Sequence, residues 1–305
     1  MRFEGLDLNL LVAMEVLLDC RSTTEAARRL HLSQPTISAA LGRLRDYFDD
    51  ELLMNVGRDM VPTAKGEELG PAITELLNVA RFKIVHTEEF NPATSRRRFK
   101  ILCSDFAFDV LISQVIARAS SEAPHVSFEI GSTGPEGTRV FQKGDVDLMI
   151  TVQDYHLDDH PMEGLFEDQD SVICWSEGKF AAGINETQFL EASFAIPVFG
   201  EERRPPISDL FFRRNGVQLN AGVQVSSFSA LPRAIVGTDR IAVMHMTHAR
   251  LYEDSYPIKV HPLPVEGPGI REVMQWHKLR HNDKGIRWLR KLLAGVHQDF
   301  SLKDQ

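Results

Sequence analysis

Up to residue 90 the apolar positions recur mostly at helical spacing, and beyond it they gather into short runs that alternate with polar stretches. Residues 8–18 read as an amphipathic helix that closes a small core, and the helix after it carries Ala26, Ala27 and Leu30, small and apolar where two helices approach closely. In the next segment Ile37, Leu41, Leu44 and Phe48 recur at helical intervals and predict one inward face. Leu32 is expected to fill the turn between these two helices. Residues 52–62 read as a two-stranded wing turning near Gly57, Arg58 and Asp59. From Thr63 the pattern predicts one long helix, AKGEELGPAITELLNVARFKIVHTEEF, in which Leu69, Ile73, Leu76 and Ala80 form a heptad seam. The core before it is too small to cover so long a seam, so the seam predicts pairing between two copies of the chain. Gly70-Pro71 marks a place for that helix to bend.

A polar hinge, NPATSRRR at 91–98, separates this part from the rest. Beyond it, 99–103, 126–130 and 146–152 read as strands, with helices at 106–119 and 137–141 between them. A second series places strands at 171–175, 194–198, 222–225 and 241–244 and helices at 207–215 and 228–236, before a last strand at 273–277 and a closing helix at 285–300. Strand and helix in alternation predict parallel sheets covered by helices. The fold expected is therefore an α+β head followed by an α/β domain: a winged helix-turn-helix at 1–62, a linker dimerisation helix at 63–90, and a bilobed domain at 91–305. Its first lobe takes 91–163 and 268–305, its second 164–267, with a cleft between them.

The head carries the clearest chemistry. Ser33 is placed to cap the orphan N–H groups of the helix that follows, and Pro35 sits in its first turn, where a missing donor costs nothing. The inward face leaves Gln34, Thr36, Ser38 and Arg43 outside. An ordinary amphipathic pair shares the apolar spacing, but cap, small contact residues and polar outer face together point to a helix that reads DNA. Gln34 suits an adenine edge, and Pro35 and Thr36 suit a thymine methyl. Arg28, Arg29, Arg43, Arg45, Arg58 and Lys65 are candidates for phosphate, with Ser33 and Thr63 completing the expected interface.

The run AARRLHLSQPTISAALGRL, followed by Phe48, Leu52, Leu53 and PTAKG, resembles the N-terminal domain of LysR-type transcriptional regulators. The opening MRFEGLDLNLLVAMEVLL is similar to the nodulation-regulator branch, whose members answer to flavonoids, and to nearby regulators of aromatic degradation. The resemblance implies a regulator, activator or repressor, that binds double-stranded promoter DNA, assembles with itself as a dimer or, by the family's habit, a tetramer, and meets RNA polymerase. It also implies that the bilobed half is an effector domain similar to type 2 periplasmic binding proteins. One departure stands at the wing, where many members carry an arginine before the tip and this chain has Asn55-Val56-Gly57, keeping only Arg58.

Charge changes the picture of how DNA is held. With 34 basic against 43 acidic residues the chain carries −9, and up to residue 66 eight basic residues face ten acidic ones. Most of those acids fall on the opening helix or in the run 46–51. Low bulk charge predicts weak non-specific binding and a larger share for specific contacts and dimerisation. A hydrophobic share of 43% is that of a soluble globular protein, and no apolar stretch is long enough for a membrane span or followed by a cleavage site, so the cytoplasm is expected. Cys20, Cys103 and Cys174 are scattered in apolar runs, as a reducing compartment allows, and read as small core residues.

In open α/β sheets a ligand sits beyond the carboxyl ends of strands. Those positions are Ser104, Ser132 and Thr133 in the first lobe, and Phe199, Gly200, Ser227 and Phe228 in the second, with Phe106 and His245 beside them. Hydroxyls and aromatic rings together suit a flat phenolic or aromatic-acid effector, although each serine alone reads equally well as a helix cap. Arg203 and Arg204, beside Pro205-Pro206, read as a solvated turn, and His248 as packing. His156 and His160 stand four apart with metal-ligand chemistry, but without a third ligand nearby they read as a solvated loop rather than a metal site. No GxSxG, P-loop or HExxH occurs, so neither an enzyme nor a bound cofactor is expected.

Overall fold

A computed structural model describes residues 2–3, 5–57, 59–85 and 89–301. The chain divides into two compact units, Met1–Glu88 and Glu89–Gln305.

In the first unit a short ladder, β1 (Arg2–Phe3) with β2 (Leu6–Asp7), leads into α1 (Leu8–Cys20), α2 (Thr23–Leu30) and α3 (Gln34–Phe48). Local chemistry starts each helix: the side chains of Asp7, Ser22 and Ser33 accept N–H groups from Asn9, Glu25 and Thr36. Ile37, Leu41 and Leu44 are buried, each contributing roughly 1.5–3 kcal/mol of transfer free energy, and they pack with Leu10, Met14, Leu17, Ala26 and Ala27. Leu32 departs from expectation. It lies half exposed at the turn, which is instead closed by backbone bonds from His31 and Leu32 to the end of α2.

The wing is an antiparallel pair, β3 (Leu53–Val56) and β4 (Asp59–Pro62), with Gly57 at positive φ in its turn. It leads into α4 (Ala64–Val79), which runs through Pro71 and continues as a π-helical turn over Ala80–Val85. The seam reading needs correction. Ile73 and Leu77 are buried against Leu10, Leu11 and Met14 of the same head, with Leu69 beside them, while Leu76 stays 44% exposed. The head covers more of this helix than its size suggested. Nor does Phe90 end the helix: its ring packs on Phe99 and Trp288 in the second unit.

The second unit holds two five-stranded sheets. In the first lobe β5 (Arg98–Leu102), α5 (Asp105–Ala107), α6 (Ser113–Glu122), β6 (Ser127–Gly131), α7 (Pro135–Gln142), β7 (Leu148–Val152) and β8 (Met162–Asp168) follow in order. The chain then builds the second lobe with β9 (Asp170–Trp175), α8 (Glu186–Glu191), β10 (Ser193–Pro197), α9 (Ile207–Arg214), β11 (Asn220–Val225), α10 (Leu231–Ile235), β12 (Ile241–His245), α11 (Met246–Glu253) and β13 (Ile258–Pro262). It returns through β14 (Ile270–Gln275) and closes with α12 (Lys284–Ser301). The strand orders are β6-β5-β7-β14-β8 and β11-β10-β12-β9-β13.

The sheets are mixed rather than parallel. β14 runs antiparallel to both β7 and β8, and β9 antiparallel to both β12 and β13. β8 belongs to the first sheet, so the chain changes lobe at Gln169, and the expected limit between 163 and 164 falls inside a strand. Both lobes have their own apolar core. A third cluster joins Phe106, Val110 and Ile270 of the first lobe to Ile173, Phe228, Leu231 and Met244 of the second.

Candidate nucleic-acid interface and effector junction

The outer face of α3 is built by its own first turn. Ser33, Gln34, Pro35, Thr36, Ser38 and Arg43 are all exposed. Gln34 Nε2 donates to Thr23 Oγ1 and Ser38 Oγ, both at 3.3 Å, long bonds that hold the amide over the helix yet yield easily to a base edge. Around this face the cations are already paired. Arg28 makes two bonds to Glu25, Arg29 bonds both Glu25 and Asp19, and Arg43 reaches Asp7 at 3.2 Å. Hydrogen bonds from these two guanidinium groups, Arg28 first, hold the Glu25 carboxyl down to about 2. A phosphate at these arginines would share or compete with a carboxylate already bonded there.

Two residues of the expected interface, Arg45 and Thr63, also do structural work. Arg45 donates to the carbonyls of Glu51 and Leu53 at 2.8 and 2.6 Å and ties α3 to the wing. The Thr63 hydroxyl accepts Gly66 N–H at 3.0 Å, starting α4, and donates to Asp50 at 2.6 Å. Asp50 also takes the N–H of Leu52, which is wholly buried at positive φ, and a Cβ on Gly66 would meet the Leu52 carbonyl at 2.3 Å. Part of the acidic run beside the wing is thus a knot rather than a charged surface. Arg58 lies outside the described residues.

At the lobe junction, Phe106 is 1% exposed and its ring lies 4.6 Å from His245, 5.5 Å from His248 and 5.8 Å from Phe166. Phe228 lies between His245 and Phe199, its ring tilted against both at 5.1 and 5.2 Å. These rings were expected to line an open cleft; they fill the junction by packing on one another, because each lobe supplies apolar surface that the other covers. Polar bonds fix the same contact. Asp105 accepts the Ser229 N–H at 2.7 Å, and Asp109 accepts His248 Nε2 at 2.9 Å and the Tyr252 hydroxyl at 2.8 Å. Asp168 takes N–H groups of Gln169 and Thr247.

Burial dominates the titration of this region. It pushes the Glu272 carboxyl up to about 7, with His245 pulling the other way, and the Cys103 thiol up to about 12. It also raises Asp168 and the Tyr252 hydroxyl and lowers His248. Sequence reasoning assigned no role to Asp105, Asp109, Tyr252 or Glu272 and took His248 as packing. The one available signal was acidic residues beside an apolar helix start, which does not by itself indicate burial.

The other expected effector residues divide. Ser104 caps α5 by accepting Ala107 N–H at 3.1 Å, and Ser227 accepts the Ser229 hydroxyl. Ser132 and Thr133 precede α7, and among the described residues neither is bonded to the junction. Gly200 lines an open depression of about 710 Å³ at the carboxyl ends of β10 and β11, with Val198, Arg203, Gln224, Val225 and Ser226. Arg203 is in a turn, as expected, but its side chain is bonded to Gln224 and lines this depression. His156 is held by Gln153 and Asp158, and His160 accepts Lys278 N–H. Among the described residues no group of three metal-ligating side chains converges, and no helix is long and apolar enough to cross a membrane.

A capped, exposed reading helix beside a wing, carried with a bilobed domain whose lobes meet through rings and carboxylates, defines a ligand-controlled DNA-binding protein. The chain belongs to the LysR family: residues 8–67 match the bacterial regulatory helix-turn-helix protein, lysR family, and residues 92–298 the LysR substrate binding domain. It is a LysR-type DNA-binding transcriptional regulator with an effector-binding domain, and not an enzyme. It is similar to nodulation protein D 3 of Rhizobium leguminosarum bv. phaseoli, 36% identical over 96% of this chain and 98% of that one. Among solved structures, full-length OxyR from Pseudomonas aeruginosa shares the fold at a TM-score of 0.66 and 17% identity, covering 96% of this chain and 95% of that one. Full-length CbnR complexed with its target DNA shares it at 0.58 and 11%, covering 95% and 100%.

Proposed function

We propose that this regulator answers to a small aromatic, phenol-bearing effector taken up between the lobes, and that it activates transcription from promoters it reads with α3. The observation that supports the effector reading is the depression on the second lobe, where Val198 and Val225, the Gln224 amide and the Ser226 hydroxyl stand together as a flat ring with polar substituents requires; Phe199 and Ser227 adjoin it in sequence. Its likeness to the nodulation proteins supports the same class. Rings packed at the junction describe the closed arrangement, and an effector works by favouring one lobe arrangement over another.

On the DNA side Gln34, Pro35, Thr36 and Ser38 read bases, while Ser33, Arg28 and Arg43 position the backbone. The chain acts as a dimer through the exposed side of α4, where Ala72 and Leu76 stand free, and then as a tetramer, in the cytoplasm with RNA polymerase as a partner. Two heads held by such a dimer match a pseudo-palindromic site, and a change in their spacing alters the bend of the DNA. The test is thermal melting of the full chain against phenols, flavonoids, aromatic acids and divalent metals. One aromatic class should raise the midpoint by mass action. A response to metal alone, or to none of the panel, removes the aromatic-effector reading.

A further inference from the structure

Glu272 stands on β14, the strand by which the chain returns to the first lobe, and points with Ile270 into the apolar cluster that joins the lobes. It is 2% exposed, and its Oε2 has no hydrogen-bond partner. Its strand neighbours at this level are Val152 and Phe166, which pack against the same cluster and give it no polar contact. The ionisable groups that act on it or that it acts on are Cys103, just after β5, and His245 from the second lobe; Asp105 and Asp109 act on the same Cys103, and Asp168 on the same His245. His245 Nδ1 itself lies 3.1 Å from Asp170 Oδ1, while Asp109 is occupied by His248 and Tyr252. Asp170 also has buried oxygens without a hydrogen-bond partner, but it has an imidazole at ion-pair distance, whereas Glu272 sits among apolar side chains. Asp168 has backbone donors.

We propose that Glu272 is a proton-carrying latch of the lobe junction: it keeps a proton while the lobes are closed and yields it to water when they part. An ionised carboxylate with one oxygen unpartnered in this cluster is costly, whereas a carboxylic acid is tolerated there. Parting the lobes admits water, which solvates the carboxylate and takes the proton. The protein therefore releases one proton on opening, and alkaline conditions favour the open form by linkage. The regulatory consequence rests on the proposed reading that an effector works through the lobes; the protonation of Glu272 does not.

Two measurements on the full chain test this. An infrared titration from about pH 5 to about pH 9 should show the carbonyl stretch of one buried carboxylic acid fading near neutrality, and Glu272→Gln should lack it. Asp170→Asn should move the midpoint and keep the band. Absence of the band in the wild type, or its persistence in Glu272→Gln, overturns the assignment. The second measurement is the distance between spin labels at Ser121 and Glu191, both exposed and on opposite lobes, in a Cys20→Ser background diluted with unlabelled chain. It should lengthen over the same pH range in the wild type and stay constant in Glu272→Gln. A constant distance in the wild type, or an equal change in both, overturns the latch. A melting response to an aromatic with no carboxyl band sinks this inference alone, and a band without any effector response sinks only the effector reading.

Discussion

The outer face of α3 and the lobe junction are both made of a few polar side chains on an apolar base, yet they are built in opposite ways. On α3 the groups proposed to read bases lie within five residues of Ser33 and face outward. At the junction Asp109 and His248 are 139 residues apart and His248 is wholly buried. Local chemistry makes a surface that waits for a partner, and long-range packing makes an interior in which each charge must find one. The first tolerates substitution and loses specificity; the second loses the fold's closed arrangement.

Phe106→Ala strains that contrast hardest. It should cost ~3–5 kcal/mol in denaturant unfolding of the second unit while the melting of the head is unchanged. A loss below ~1 kcal/mol would mean the lobes close over the gap. Next comes pH. Burial holds His277 down to about 4 against an ordinary 6.5, so stability is lost as pH falls through that range. Glu272, raised from 4.5 to about 7, acts with the opposite sign, and stability is lost as pH rises through that range. The two slopes offset each other in the wild type. Glu272→Gln should leave the histidine arm unopposed, so that unfolding free energy climbs by on the order of 2–3 kcal/mol between about pH 4 and about pH 6.5. A flat profile in that variant contradicts the assignment.

On the surface side, Gln34→Ala should reduce discrimination between target and random DNA by ~1–3 kcal/mol in competition binding, with affinity for random DNA unchanged. Equal losses on both would deny it a base-reading role. Ser33→Ala is the smallest, at ~1 kcal/mol of head stability by thermal melting, since only the first turn of α3 loses its cap. A larger loss would mean that the cap also fixes the turn from α2.

The contrast also explains what could be read in the sequence. Ser33, Pro35 and the inward series Ile37, Leu41 and Leu44 are local signals, and α3 begins and packs as they indicate. The apolar series on α4 was equally regular, but periodicity does not say which neighbour a face meets, and Ile73 and Leu77 meet their own head. Strands β8 and β13 escaped notice because each is the edge of its sheet, where MEGLFED and IKVHP can keep charged and polar residues toward solvent. The parallel expectation failed even among the strands that were read, because β14 and β9 enter their sheets from the opposite direction to β7 and β12, and alternation of strand and helix does not record direction. Nothing near Glu272 in sequence marks it as buried, because its surroundings arrive from β5, β8 and β12.

The knot of Asp50, Leu52, Thr63 and Gly66, together with Arg45 on the wing and the Arg81–Glu15 ion pair at 2.6 Å, clamps both ends of α4 to the head. Held at both ends, the helix works as a brace on the head: its start shares hydrogen bonds with the wing and its far end is pinned to α1 through Glu15.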